Sequence, residues 1–258
     1  MKKIILSLAV VSMLFSCNKQ EDSITTTDGN TAEIAGKRGC YSDEHLKAQL
    51  AADPTLAQRM EEFELQSARA IANGRIVNGV IEIPVVVNVL YRTTAENISL
   101  AQIQSQIDVL NKDFNAANSD YNTANNPYSS VRANVGIRFV LDQVIRKSTT
   151  KSSWGTKDAM KKSTQGGLNP TSPTTKLNIW ICTIGGGILG YAQFPGGASA
   201  TDGVVLDGKY TGTTGTATAP FNLGRTATHE VGHWMNLRHI WGDATCGSDL
   251  VSDTPVHN

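Results

Sequence analysis

No sign of charge predominates in this 258-residue sequence: 23 Lys and Arg stand against 23 Asp and Glu, a formal net charge of zero. A chain that neutralises many phosphates needs a surplus of Lys and Arg, overall or in a dense run, so the balance argues against a nucleic-acid partner. Charged residues make up only 18%, below the ~25% of ordinary domains. With 40% hydrophobic residues, the composition is that of a globular exported protein. A bilayer-spanning run is also missing. Ile4 to Phe15 offers 12 apolar-rich residues, against the ~20 that a membrane-crossing helix needs. Behind the cationic Met1-Lys2-Lys3, this run reads as a secretory signal. No internal repeat is visible, and the length admits one good-sized domain with an extension or two small ones.

Cysteine is scarce, at four residues. Leu14-Phe15-Ser16-Cys17 resembles the lipobox of bacterial lipoproteins, which predicts a signal peptide over residues 1–16, lipidation of Cys17 and anchoring in the cell envelope or at the outer-membrane surface. The other reading is an ordinary cleaved signal with an incidental Cys. Residues 17–37 are polar and Thr-rich, too poor in large apolar groups to bury a core, and form a flexible tether in this reading. Setting Cys17 aside leaves Cys40, Cys182 and Cys246, an odd number in an exported chain that normally pairs its thiols.

From Ser42 to Ala72 the pattern is helical, broken at Asp53-Pro54, with Asp as N-cap and Pro at the first position of a second helix. Leu56, Met60 and Phe63 share one side of it, and Asn73-Gly74 ends it. These two helices suit a pro-segment, residues 38–79, better than a domain of their own. Ile81 to Tyr91, mostly β-branched or aromatic, predicts a strand; its Pro84 cannot donate a ladder bond. Ser99 and Gln102 have capping-box spacing, Ile98 can staple onto Ile103, and Leu100, Ile103, Ile107, Leu110 and Phe114 repeat at steps of three and four, predicting a helix that backs the sheet. Further strands are predicted at Asn134 to Ile145, at Leu177 to Thr183 as a central strand, and at Gly203 to Asp207 as an edge. The order implies an α/β (α+β) fold with a mixed twisted sheet in a domain over residues 80–258.

The strongest signal is Thr228 to His239. On a helix, His229 and His233 share a face about 6 Å apart along the axis, so both can reach one Zn²⁺ at ~2.0 to 2.1 Å. Glu230 lies beside the same site, where its carboxylate can accept a proton from metal-bound water. His239 follows six residues after His233, a ~9 Å advance on a straight helix, so the chain must turn. Asn236 stands at the turning position and is suited to a left-handed backbone. Three neutral imidazoles leave a position open for water, the catalytic arrangement.

These residues match the extended zinc motif of the metzincin metallopeptidases, with Asn236 where that clan usually has Gly. The chain resembles the pappalysin family within it, through Ile83-Pro84-Val85-Val86, Leu177-Asn178-Ile179-Trp180, Gly190 to Pro195 and Gly224 to Thr228. The resemblance implies a zinc metalloendopeptidase with an active-site helix, in which Zn²⁺ held by His229, His233 and His239 activates water and Glu230 relays its proton; with the lipobox at Cys17, the expectation is a lipid-anchored enzyme made as a zymogen. It also implies that extended peptide or protein substrates add to an edge strand, here Gly203 to Asp207. Lys37-Arg38-Gly39-Cys40 looks like the family's cysteine-switch segment, with the Cys40 thiolate as fourth zinc ligand; the alternative pairs Cys40 with Cys182 or Cys246. Cys182 reads as a buried small hydrophobe. In the family, Cys246 would bond a Cys further along. Calcium sites also occur there, without ligands that can be assigned here.

Metzincins carry a Met-containing turn some way after the third His. This sequence ends at Asn258, 19 residues past His239, and its last Met is Met235. The expectation is a catalytic domain that lacks its C-terminal part, which leaves open a catalytically incompetent zinc-binding protein or a non-catalytic surface lipoprotein. Because Cys17 precedes Cys40, a cut between Cys40 and Ile81, at Arg69 or Arg75, would activate and release the enzyme together.

Overall fold

Two runs of near-continuous apolar residues, the pattern expected of strands buried on both faces of a parallel sheet, form the middle of the architecture. The computed structural model describes residues 39–72, 80–121, 123, 129–130, 132–245, 247–252 and 254. The signal peptide, Cys17, the tether, Lys37-Arg38, Asn73-Gly74, Arg75 and Cys246 therefore lie outside the described residues, as does the side chain of Arg69.

Five strands form one sheet: β1 (Ile81–Tyr91), β2 (Ile137–Ser148), β3 (Leu177–Cys182), β4 (Gly190–Ala192) and β5 (Val204–Asp207), in the spatial order β2-β1-β3-β5-β4. β2, β1, β3 and β5 run parallel, and β4 is antiparallel to β5. The mixed α/β sheet is thus as expected, with β1 at the bounds read from the sequence and β3 in the centre. Pro84 is accommodated because pairing of β1 with β3 begins only at Val85, so the missing N–H interrupts no bond on that side. β2 starts three residues later than expected: Asn134 Oδ1 accepts from the Gly136 N–H at 2.9 Å, and Gly136 has φ +62°, forming a turn before the strand.

The edge assignment must be corrected. β5 lies inside the sheet, between β3 and β4, and β4 is the edge. Three residues opening on Gly190 carry too little pattern to read as a strand; only the return of the chain from the Gly185–Gly187 turn lays them beside β5.

Strand alternation divides the core. Val85, Val87, Ile179, Ile181 and Leu206 face one side, where helix α3 (Leu100–Phe114) supplies Ile103, Ile107 and Leu110 and helix α4 (Arg225–Trp234) supplies Ala227 and Val231. Each fully buried Val, Leu or Ile side chain among them contributes roughly 1.5–3 kcal/mol. Leu90, Trp180, Tyr191 and Val205 face the other side, under Trp154 and Met160 from the long β2–β3 connection.

The α3 cap forms, with Ser99 Oγ accepting from the Gln102 N–H at 3.1 Å. Two expectations for this helix fail. Leu100 is exposed, and the Gln102 side chain, rather than reaching back, is buried and donates to Gly208 O and Thr211 O. With Gln106, which donates to Gly224 O and accepts from the Gly212 N–H, it ties down the connection into α4.

The region read from the sequence as a pro-segment forms α1 (Ser42–Ala52) and α2 (Leu56–Ala72). Asp53 is the C-cap of α1 and not, as expected, the N-cap of α2: its carboxylate accepts from the Thr55 N–H at 3.0 Å within the connecting turn, Pro54 stays in that turn, and α2 starts at Leu56. Leu46, Leu56 and Met60 bury against Phe194, just beyond β4, whereas Phe63 is exposed.

Candidate metal centre and active-site cleft

Helix α4 begins at Gly224, whose φ of +72° is left-handed and whose missing Cβ would stand 3.0 Å from Val109 Cγ2 of α3. Glycine therefore serves both the turn and the close approach of the two helices. Thr228 Oγ1 donates to Asp113 Oδ2 at 2.6 Å and Arg225 pairs with the same carboxylate, fixing α4 on α3.

The helix ends where the sequence predicts. Asn236 has φ +78°; its N–H reaches His233 O at 2.9 Å, and that of Leu237 reaches Gly232 O at 2.9 Å. This pair of bonds is a Schellman motif with Asn in the left-handed position. It reverses the chain and returns His239 to the helix.

The Nε2 atoms of His229, His233 and His239 lie 3.0 to 3.2 Å from one another. Nitrogens ~2.0 to 2.1 Å from a tetrahedral zinc are about 3.3 Å apart, so the triangle has the right size. His233 Nδ1 faces Leu237 O at 2.7 Å and His239 Nδ1 faces Asp243 Oδ1 at 2.5 Å. With their protons used on these outer partners, both rings present Nε2 lone pairs to the centre. A single proton can join only two of three such nitrogens, whereas one cation joins all three. Burial also pushes the His233 pKa down to about 4, keeping the ring neutral and ligand-competent at neutral pH.

Cys40 completes the cluster: its Sγ and the three imidazoles place their donor atoms within 4.8 Å of one another. A soft thiol with three imidazoles suits zinc. Cys40 is unpaired, and so is the buried Cys182, which removes their pairing as an alternative. Burial, followed by the charge of Glu230, raises the Cys40 thiol pKa in the metal-free protein.

Glu230 is fully buried, and burial pushes its carboxyl up to about 7 against the lowering effect of its hydrogen bonds. Its Oε2 accepts from Ser42 Oγ at 2.8 Å and lies 3.4 Å from Cys40 Sγ. Ser42 Oγ in turn accepts from the Ala192 N–H at 2.8 Å. The chain leading into α1 also lies along the edge strand: Cys40 bridges Gly190 in parallel, the Tyr41 N–H donates to Gly190 O at 3.1 Å, and the Leu189 N–H donates to Gly39 O at 3.2 Å. Further along, Asn236 Nδ2 donates to Glu64 Oε1 at 2.6 Å. The cleft, about 490 Å³, is lined by Cys40, Glu230, His229, His239, Phe221 and Trp241 among others.

Ser42, Gly190, Trp241 and Asp243 are the residues that reading the sequence did not single out for the site. Ser42 and Asp243 stand two and four residues from Cys40 and His239, but nothing in that spacing marks them. Gly190 had a signal in Gly190-Tyr191.

The Peptidase_M43 profile, described as Pregnancy-associated plasma protein-A, matches residues 173–258. An extracellular metalloprotease of Pyricularia oryzae is 35% identical over 207 residues, 73% of this chain, and the chain spans 62% of that relative's length. Mature mirolysin of Tannerella forsythia, solved with a cleaved peptide, superposes with a TM-score of 0.68 at 42% identity, over 70% of this chain and 74% of its own. A promirolysin mutant of the same organism gives a TM-score of 0.74 at 38% identity, over 84% and 75%.

Proposed function

The chain belongs to the pappalysin family of metallopeptidases, Peptidase_M43, and on that premise we propose that it is an exported zinc-dependent metalloendopeptidase made as a latent zymogen. The observation that carries this reading is the convergence of His229, His233, His239 and Cys40 beside the buried carboxylate of Glu230.

In this reading His229, His233 and His239 hold the zinc through Nε2. Bound zinc supplies Lewis-acid polarisation of the scissile carbonyl and of the attacking water. Glu230 accepts the proton of that water at Oε2, the oxygen that faces Cys40 and Ser42, and passes it to the leaving amine. The edge strand β4 offers main-chain groups to an extended peptide, and the path that peptide would follow is held by Gly39 to Ser42 in the zymogen. A peptide is also what the mirolysin structure holds.

Latency follows from three contacts at once: the Cys40 thiol in the fourth ligand position, the Ser42 hydroxyl on the general base, and the pro-segment backbone on β4. That the chain superposes on promirolysin over more of its length than on the mature form supports the assignment of residues 38–79 as pro-segment. Lipidation at Cys17 would anchor the zymogen, and a cut before Ile81 would free the catalytic domain. Of the two candidate sites, Arg69 lies within α2, so a protease, which binds extended chain, would have to unwind the helix there first.

Casein degradation by pro-segment-cleaved protein tests the activity. It should stop with a chelator, return with Zn²⁺ and be absent in Glu230→Ala. Degradation at the parent rate by Glu230→Ala would overturn the mechanism, and activated protein retained in the membrane fraction would overturn release.

A further inference from the structure

His229 and His233 are held by a helix; His239 is not. It lies five residues beyond the end of α4, and the direction of its ring depends on the loop that follows. That loop is built tightly. The Gly242 N–H donates to His239 O at 2.8 Å, and Gly242 and Asp243 both have left-handed backbones, φ +59° and +54°. Gly242 admits no side chain, since a Cβ there would stand 2.3 Å from Ser248 N. For Asp243, a left-handed backbone is a cost. What it achieves is visible: Asp243 Oδ1 meets His239 Nδ1 at 2.5 Å, while the Trp241 ring stacks on the His239 ring, centroids 4.5 Å apart and planes 6° from parallel. His239 and Asp243 are both largely shielded from solvent at this contact, with side chains 10% and 19% exposed.

We propose that Asp243 is the positioning residue of the third zinc ligand: its carboxylate accepts the His239 Nδ1–H, selects the tautomer with its lone pair on Nε2, and fixes the ring, which Trp241 clamps from one face. The contact is of the carboxylate–histidine–metal type, and it is supplied to the one imidazole of the three that lacks helical support. The inference rests on His229, His233 and His239 binding zinc, and its test separates the two claims.

Zinc affinity of the full chain is measured by competition with a chromophoric chelator, alongside the visible spectrum of the Co²⁺-loaded protein and the melting temperature of the metal-free protein. Asp243→Gly removes the acceptor while keeping a residue at ease with φ +54°. Asp243→Asn keeps an acceptor and also tolerates that backbone. The expectation is a loss on the order of 10–100-fold in zinc affinity for Asp243→Gly, with altered Co²⁺ bands, affinity largely kept by Asp243→Asn, and unchanged melting of both metal-free variants. Affinity of Asp243→Gly within twofold of the parent, or an equal loss in both variants, would overturn the positioning role. Absence of zinc binding by the parent would instead overturn the metal centre itself.

Discussion

Ser42 and Glu230, 188 positions apart in sequence, meet in a 2.8 Å hydrogen bond between hydroxyl and carboxylate, and the same hydroxyl accepts the Ala192 N–H of the edge strand. One side chain at the start of α1 therefore engages both the carboxylate proposed as general base and a backbone donor that an extended peptide would use. Cys40 takes the metal-facing position beside it.

Latency should accordingly come away in two stages. Uncleaved Cys40→Ala should hydrolyse a fluorogenic peptide more slowly than cleaved parent, and Cys40→Ala with Ser42→Ala should gain about a further tenfold, the equivalent of one charge-assisted hydrogen bond. Equal rates for the single and double variants would mean that Ser42 does not restrain the base.

The turn at Asn236 makes a separate prediction. Asn236→Val places a β-branched residue at φ +78°, so it should destabilise the protein by at least ~1–2 kcal/mol and weaken zinc binding through displacement of His239. Asn236→Gly should keep zinc affinity and lose only the bond to Glu64. Thermal melting and zinc titration on the pair decide this; parallel losses would show that the left-handed turn is not what matters.

Gly190 has no room for a side chain. A Cβ would stand 2.9 Å from Val205 O and 3.1 Å from both Glu230 Cγ and Leu206 Cδ2. Gly190→Ala should cost roughly 1–3 kcal/mol, as overpacking does, and should lower kcat of the cleaved protein by shifting Glu230 or β4. Unaltered kcat and melting temperature would contradict this close packing.

Burial of Glu230 and His233 opposes itself in pH. Glu230 has its pKa raised from 4.5 to about 7, so its contribution to stability is full at low pH and is lost as pH rises from about 4.5 to about 7. His233 has its pKa lowered from 6.5 to about 4, so its contribution is full above about 6.5 and is lost as pH falls toward about 4. The metal-free zymogen should therefore show a shallow stability profile between pH 4.5 and 6.5. Glu230→Gln should steepen it, gaining stability as pH rises through that window by on the order of 3 kcal/mol. Urea unfolding of both proteins at several pH values is the measurement, and parallel profiles would refute the compensation.

Local rules explain what could be read in advance. The cap at Ser99, the turn at Asp53, the left-handed Asn236 and the bounds of β1 each depend on residues within a few positions of one another, so spacing and side-chain chemistry were sufficient. Where the partner is distant, the same rules misled. Gln102 has the spacing of a capping box but spends its amide on Gly208 and Thr211, more than 100 residues away. Leu100 and Phe63 keep helical periodicity yet face solvent, because a period names a stripe and not how far the neighbouring layer covers it.

By itself, then, the sequence determined the zinc-motif helix, its terminating turn and the alternation that buries the parallel strands, since all of these are encoded within one or two helical turns or a single strand. Tertiary structure alone decided that β4 rather than β5 is the edge strand beside the cleft, that Ser42 rather than Cys40 alone meets Glu230, and that Asp243 holds the ring of His239. The first two depend on which segments return across the sheet, and the third on two consecutive left-handed residues. Such pairings are set by chain closure over long separations and by close packing, and neither leaves a periodic mark in the sequence.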